Sequence, residues 1–102
     1  MTRELKRGDV WSLSDGRHVL VVSLSGLDEA YGAVLTLVLH PAGRYPDTAL
    51  SVTLTDPVLC TAVAGNLQQL RAACFAGASH LGAVEAATMA RVDQALRSVL
   101  DL

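Results

Sequence analysis

Few residues of this sequence have types suited to chemistry: Arg17, His18 and His40, with Asp15, Arg44, Gln69 and Arg71 as surroundings. An arginine presents a planar fork that matches two oxygens of a phosphate and stabilises charge growing there. Histidine is the side chain best matched to taking and returning a proton near neutral pH. Arg17 follows a tight turn, Ser14-Asp15-Gly16, and opens an apolar strand; His40 closes another. A guanidinium at a hairpin mouth is either a solvated surface charge or a phosphate hook, and residue types alone leave both open. Metal chemistry has no signature here. His18, His40 and His80 lack helical spacing, and Cys60 and Cys74 form no ligand pair. Neither a phosphate-cradling glycine loop nor a nucleophile elbow is present. No cofactor is implied.

The elements that must position these groups are mostly strands. Asp9–Leu13 reads as a short strand, and His18–Leu24, nearly all apolar through VLVV, as a central strand covered on both faces. Leu27–Tyr31 reads as a polar connection and Gly32–Leu39 as a third buried strand, ended by His40-Pro41 because proline lacks a ladder donor. Leu50–Thr55 alternates apolar and polar residues, the mark of a half-buried antiparallel strand. After a turn at Asp56-Pro57, Val58–Ala64 reads as a fifth strand. Gly65-Asn66 then turns the chain into LQQLR as a short sixth. Ala72–Ser79 is ambiguous, and His80–Val84 reads as a further short strand. Met89, Val92, Leu96 and Val99 recur at helical spacing, which predicts a helix over Ala86–Leu100. Strands followed by a helix give an α+β class, mainly β, or a small barrel with an appended helix.

The 102 residues suffice for a single domain, residues 1–102. Apolar residues make up 51%, yet one Trp, one Phe and two Tyr are the only aromatics, so the core must be aliphatic. That much apolar content exceeds what one small core hides, and a homodimer or a partner-covered face is the natural outlet. Two cysteines are too few for a secreted disulfide scaffold, and no apolar run reaches the ~20 residues needed to span a bilayer. No signal peptide precedes the first strand. A soluble, cytoplasmic protein without a membrane partner is expected. The net charge of −2 argues against generic nucleic-acid binding. The cations are uneven, however: Arg3, Lys6 and Arg7 crowd the start, and Arg17, Arg44 and Arg71 fall at strand ends or loops.

Taken in order, the landmarks resemble the MazF/PemK family of toxin endoribonucleases. RGDVW, at Arg7–Trp11, resembles that family's opening, and GRHVLVVS, at Gly16–Ser23, its second strand. GAVLTLVLH, ending at His40, resembles its third strand. LQQLR resembles the family's acidic-glutamine-arginine segment, and LGAVEAATMARVDQALRSVLDL its closing strand and helix. The resemblance covers nearly the whole chain. It implies a small, strongly curved antiparallel sheet, almost a barrel, of the MazF/PemK/CcdB type with a C-terminal helix. It also implies a homodimeric toxin of a type II toxin–antitoxin system, blocked by a cognate antitoxin. Such a toxin cuts single-stranded RNA, often messenger RNA, at short sequences without a metal, by attack of the ribose 2′-hydroxyl.

On this resemblance Arg17 falls on the family's catalytic arginine, His18 on its proline, and His40 on a position usually held by a hydroxyl residue. Arg17 and His40 are therefore the expected catalytic pair, and Asp15, His18, Arg44, Gln69 and Arg71 the expected RNA contacts. The sequence departs from the pattern in three places. The loop between the first two strands is very short, Gln68 stands where the family has an acid, and Pro41 follows His40. These departures sustain a second reading, a catalytically weak or inactive binding module that acts through a protein partner.

Overall fold

A computed structural model of the chain describes residues 4–102; of the early cations, Arg3 lies outside the described residues. The short hairpin forms as its turn residues dictate. Strand β1 (Asp9–Ser12) and β2 (His18–Val21) pair antiparallel, with Val10 opposite Leu20 and Ser12 opposite His18. Gly16 takes a left-handed φ of 92°, which glycine adopts without the Cβ penalty of other residues. The next segment corrects an expectation. Leu27–Tyr31 is a single short helix, α1, bracketed by Gly26 and Gly32, both at positive φ. Gly32 thus caps that helix, and its amide donates to the Asp28 carbonyl.

Strand β3 (Ala33–Pro41) extends further than the His40-Pro41 pair suggested. Pro41 closes the ladder opposite Cys60, and a proline at a strand's last position forfeits little pairing. Strand β4 (Ser51–Leu54) buries Val52 and Leu54, as its alternation required, whereas Leu50 stays largely exposed. The two strands expected over Val58–Ala64 and Leu67–Arg71 are one, β5 (Cys60–Arg71). Gly65-Asn66 is not a turn but part of a bulge. Leu37 pairs with Leu67 and Leu39 with Ala62, so Val38 alone faces Val63 to Asn66. A 3₁₀ turn (Ala72–Phe75) leads to β6 (Ser79–Ala83), and helix α2 spans Ala86–Leu100 as its periodicity required.

The six strands form one antiparallel sheet in the order β4-β5-β3-β2-β1-β6, curled into a half-barrel. Its core is aliphatic on the helix side. Val10, Leu20, Leu37, Leu54, Met89 and Val92 belong to one buried cluster between sheet and α2. The other face buries Trp11, Leu13, Val19, Val21, Val34 and Leu70, joined by Leu5 and Phe75. The central strands are therefore covered on both sides, which is why VLVV does not alternate. Two charged contacts tie α2 down. Arg91 reaches both carboxylate oxygens of Asp47, at 3.0 and 2.9 Å, and Arg7 pairs with Asp93. Asp47 also accepts the Thr53 amide at 2.8 Å; that bond first, and Arg91 second, hold its carboxyl below the usual carboxylate range.

Close packing of β6 against the β4–β5 connection gives a prediction. A Cβ on Gly82, whose φ is 144°, would lie 2.8 Å from Cβ of Pro57. Gly82→Ala is therefore expected to lose ~1–3 kcal/mol by overpacking and strain. Gly65→Ala, where an added Cβ meets nothing within 4 Å, serves as the control. Thermal unfolding of the two variants checks this: equal melting temperatures would contradict the packing described.

Candidate active site

Strand register, not sequence proximity, brings the expected catalytic pair together. In the β2–β3 ladder His18 lies opposite Leu39 and Val19 opposite Val38. Arg17 and His40 are the next residues beyond the last pair of that ladder, at the end where β2 begins and β3 runs on to Pro41. Both residues line a single groove of about 360 Å³, with Gly16, His18, Leu39, Pro41, Leu59 and Cys60 among its walls. The groove lies where β2 begins, β3 ends and β5 begins. Its floor is apolar and its rim carries one guanidinium and two imidazoles.

Arg17 is oriented from within its own turn. Its amide donates to Asp15 Oδ1 at 3.0 Å, and its Nε donates to Asp15 Oδ2 at 2.8 Å. The Arg17 amide, followed by its side chain, pulls the Asp15 carboxyl below the usual range despite some opposing desolvation. Asp15 thus stays ionised at neutral pH and holds the inner nitrogen of the guanidinium. Among the described residues no partner engages Nη1 or Nη2, the pair a phosphate would meet.

His40 is held on two sides. Asn66 Nδ2 lies 2.8 Å from His40 Nε2, and the Tyr45 ring meets the imidazole edge to face, with centroids 4.9 Å apart. Neither residue was singled out from the sequence. Tyr45 follows β3 in an irregular segment, and Asn66 reaches His40 through the β5 bulge, which reads in the sequence as a turn. Cys60 also borders the groove, but burial pushes its thiol up to about 11, so at neutral pH it is a protonated wall residue and not a nucleophile.

The expected RNA contacts divide. Asp15 and His18 belong to the groove region. Arg44 is exposed in the turn after β3, where its amide meets the Pro41 carbonyl at 3.4 Å, and it does not line the groove. Gln69 and Arg71 lie elsewhere. They pair with Leu35 and Ala33 at the other end of β3, and by strand alternation they face away from the Arg17–His40 side. There they line a recess of about 460 Å³ with Tyr31, Gly32 and Ala33. Within one chain the groove and this recess are separate surfaces.

No family model matches the chain, and no curated protein does. Solved structures do. An endoribonuclease from a mycobacterial species superposes with a TM-score of 0.84 at 23% identity, covering 100% of this chain and 96% of that one. A chain of the MazE–MazF complex (form I) from Deinococcus radiodurans gives 0.82 at 21% identity, covering 99% and 100%. An endoribonuclease in complex with its cognate antitoxin, also mycobacterial, gives 0.80 at 24%, covering 96% of each chain. What persists at these identities is backbone architecture, end to end: the chain has the fold of the MazF endoribonuclease structures.

Proposed function

We propose that this protein is the toxin of a type II toxin–antitoxin pair, an endoribonuclease that cuts single-stranded RNA in the cytoplasm. The observation that supports the reading is that Arg17 and His40, far apart in sequence, both line one groove. The Arg17 fork takes two oxygens of the scissile phosphate and stabilises the charge that builds there. His40 accepts the proton of the ribose 2′-hydroxyl as that oxygen bonds to phosphorus. The bond from phosphorus to the 5′-oxygen breaks, and a proton returns to the leaving oxygen. The products are a 2′,3′-cyclic phosphate and a 5′-hydroxyl end. No step is assigned to a metal ion.

A homodimer and an antitoxin belong to the same reading. The solved relatives include complexes with an antitoxin, and this chain leaves Leu24, Tyr31 and Leu35 exposed near α1 and the start of β3. Gln69 and Arg71 lie on that side of the molecule, so in this reading they contact RNA from a surface other than the Arg17–His40 groove. Among the described residues no helix is long and apolar enough to cross a membrane.

One observation favours the alternative of a weak or inactive binding module acting through a protein partner. The Asp15 carboxylate already occupies part of the Arg17 guanidinium, and a phosphate must share it. Purified protein incubated with long single-stranded RNA in EDTA decides between the readings. The nuclease reading expects discrete fragments; intact RNA at high excess of folded protein sinks it. In the same assay His40→Ala should cut the rate by about 10²-fold or more. Undiminished cleavage would reduce His40 to a strand-end residue.

A further inference from the structure

The bulge in β5 has an effect that strand pairing does not require. His40 pairs across the ladder with Thr61, and Asn66 is five positions further along the same strand. On an unbroken strand at ~3.3 Å per residue those positions would be about 16 Å apart. Instead the Asn66 amide is 2.8 Å from His40 Nε2. The chain from Val63 to Asn66 opposes Val38 alone, and this slack folds Asn66 back onto the histidine. The Tyr45 ring, 4.9 Å from the imidazole, restricts the ring a second way.

The geometry points to Asn66 as the positioning residue for His40: it occupies Nε2, holds the ring in place, and leaves Nδ1 as the nitrogen that meets substrate. This rests on the nuclease reading for its catalytic meaning, but not for its structural content. With Nδ2 at Nε2, Asn66 donates to a ring lone pair and the neutral imidazole carries its proton on Nδ1. A half-turn of the terminal amide puts Oδ1 there instead. The same contact then accepts Nε2–H, and Nδ1 presents a lone pair to the groove. In that orientation Nδ1 takes the 2′-hydroxyl proton to give an imidazolium, with Nε2–H still bonded to Oδ1, and afterwards gives a proton to the leaving 5′-oxygen. An asparagine serves both orientations because its amide carries a donor and an acceptor. An aspartate serves only the second, and an alanine serves neither.

Ring ¹⁵N spectra of the RNA-free protein, recorded where His40 is neutral, test the assignment directly. The native protein should show Nε2 hydrogen-bonded, with the tautomer following the orientation of the Asn66 amide. Asn66→Asp should fix the Nε2–H form, and Asn66→Ala should lose the Nε2 hydrogen-bond shift. Identical ring shifts in all three proteins would overturn the proposal. Single-turnover cleavage supplies the second arm. Asn66→Ala should lower kcat by about 10–100-fold, the usual cost of losing an orienting partner, with KM little changed. Asn66→Asp, which keeps the acceptor, should recover part of the loss. If Asn66 merely shapes the exposed bulge, both variants will cleave alike and the proposal fails. If the native protein cuts no RNA while the ring shifts move as expected, the nuclease reading fails and the positioning of His40 by Asn66 stands.

Discussion

Replacing Arg17 with alanine should lower RNA cleavage by about 10²–10³-fold, the loss seen when one oriented donor to a developing oxyanion is removed. The fold should survive. The Arg17 side chain is 43% exposed, and its ion pair with Asp15 lies at the surface, where such pairs contribute little. Arg17→Lys is the informative companion. It restores the charge but not the two-pronged geometry, so it should recover only part of the rate. Single-turnover kinetics, with melting curves as the folding control, check both variants. An Arg17→Ala protein that cleaves normally would remove the phosphate hook from the account.

The largest effect on stability is expected at Leu37. Its side chain is 1% exposed and belongs to the cluster that Leu20, Leu67 and Val92 form between the sheet and α2. Leu37→Ala leaves a cavity that close-packed neighbours only partly refill, and should cost ~2–5 kcal/mol. A small domain has a total stability of about 5–15 kcal/mol. The urea midpoint should therefore fall sharply, with the slope of the transition preserved. Leu37 flanks the bulge, because the β3–β5 register shifts between Leu37 and Leu39. A native-like midpoint for this variant would contradict the packing described.

Much of the scaffold was legible because its residues carry local periodicity. Helix α2 runs over Ala86–Leu100, where Met89 and Val92 are buried at the spacing that predicted it. The apolar run forms a central strand covered on both faces, though it ends at Val21 and not at the expected Leu24, which is exposed; the alternation at Val52 and Leu54 marks a strand with one buried face. The β5 bulge was not legible. Gly65-Asn66 has the composition of a turn, and only pairing with β3 on either side of it, at Ala62 and at Leu67, keeps the chain within one strand. Helix α1 was missed for a related reason, since Leu27–Tyr31 is too short to show a helical period and its limits are set by two glycines.

The site divides along the same line. The turn at Asp15-Gly16 and the charge of Arg17 are local features. That His40 shares the groove with Arg17 depends on ladder register, which no single segment encodes. Asn66 depends on the bulge, one step further from the sequence. Gln69 and Arg71 fall on a different surface for the same reason, since their position follows from β5 pairing with the opposite end of β3.

In the proposed mechanism Arg17 and His40 together drive attack by a ribose 2′-hydroxyl. The most direct measurement uses an RNA cut at one known position and the same RNA with a single 2′-deoxy substitution on the 5′ side of that bond. The native RNA should yield a 2′,3′-cyclic phosphate and a 5′-hydroxyl end in EDTA, and the deoxy substrate should remain intact. Cleavage of the deoxy substrate at the same bond, or fragments ending in a 5′-phosphate, would contradict that mechanism.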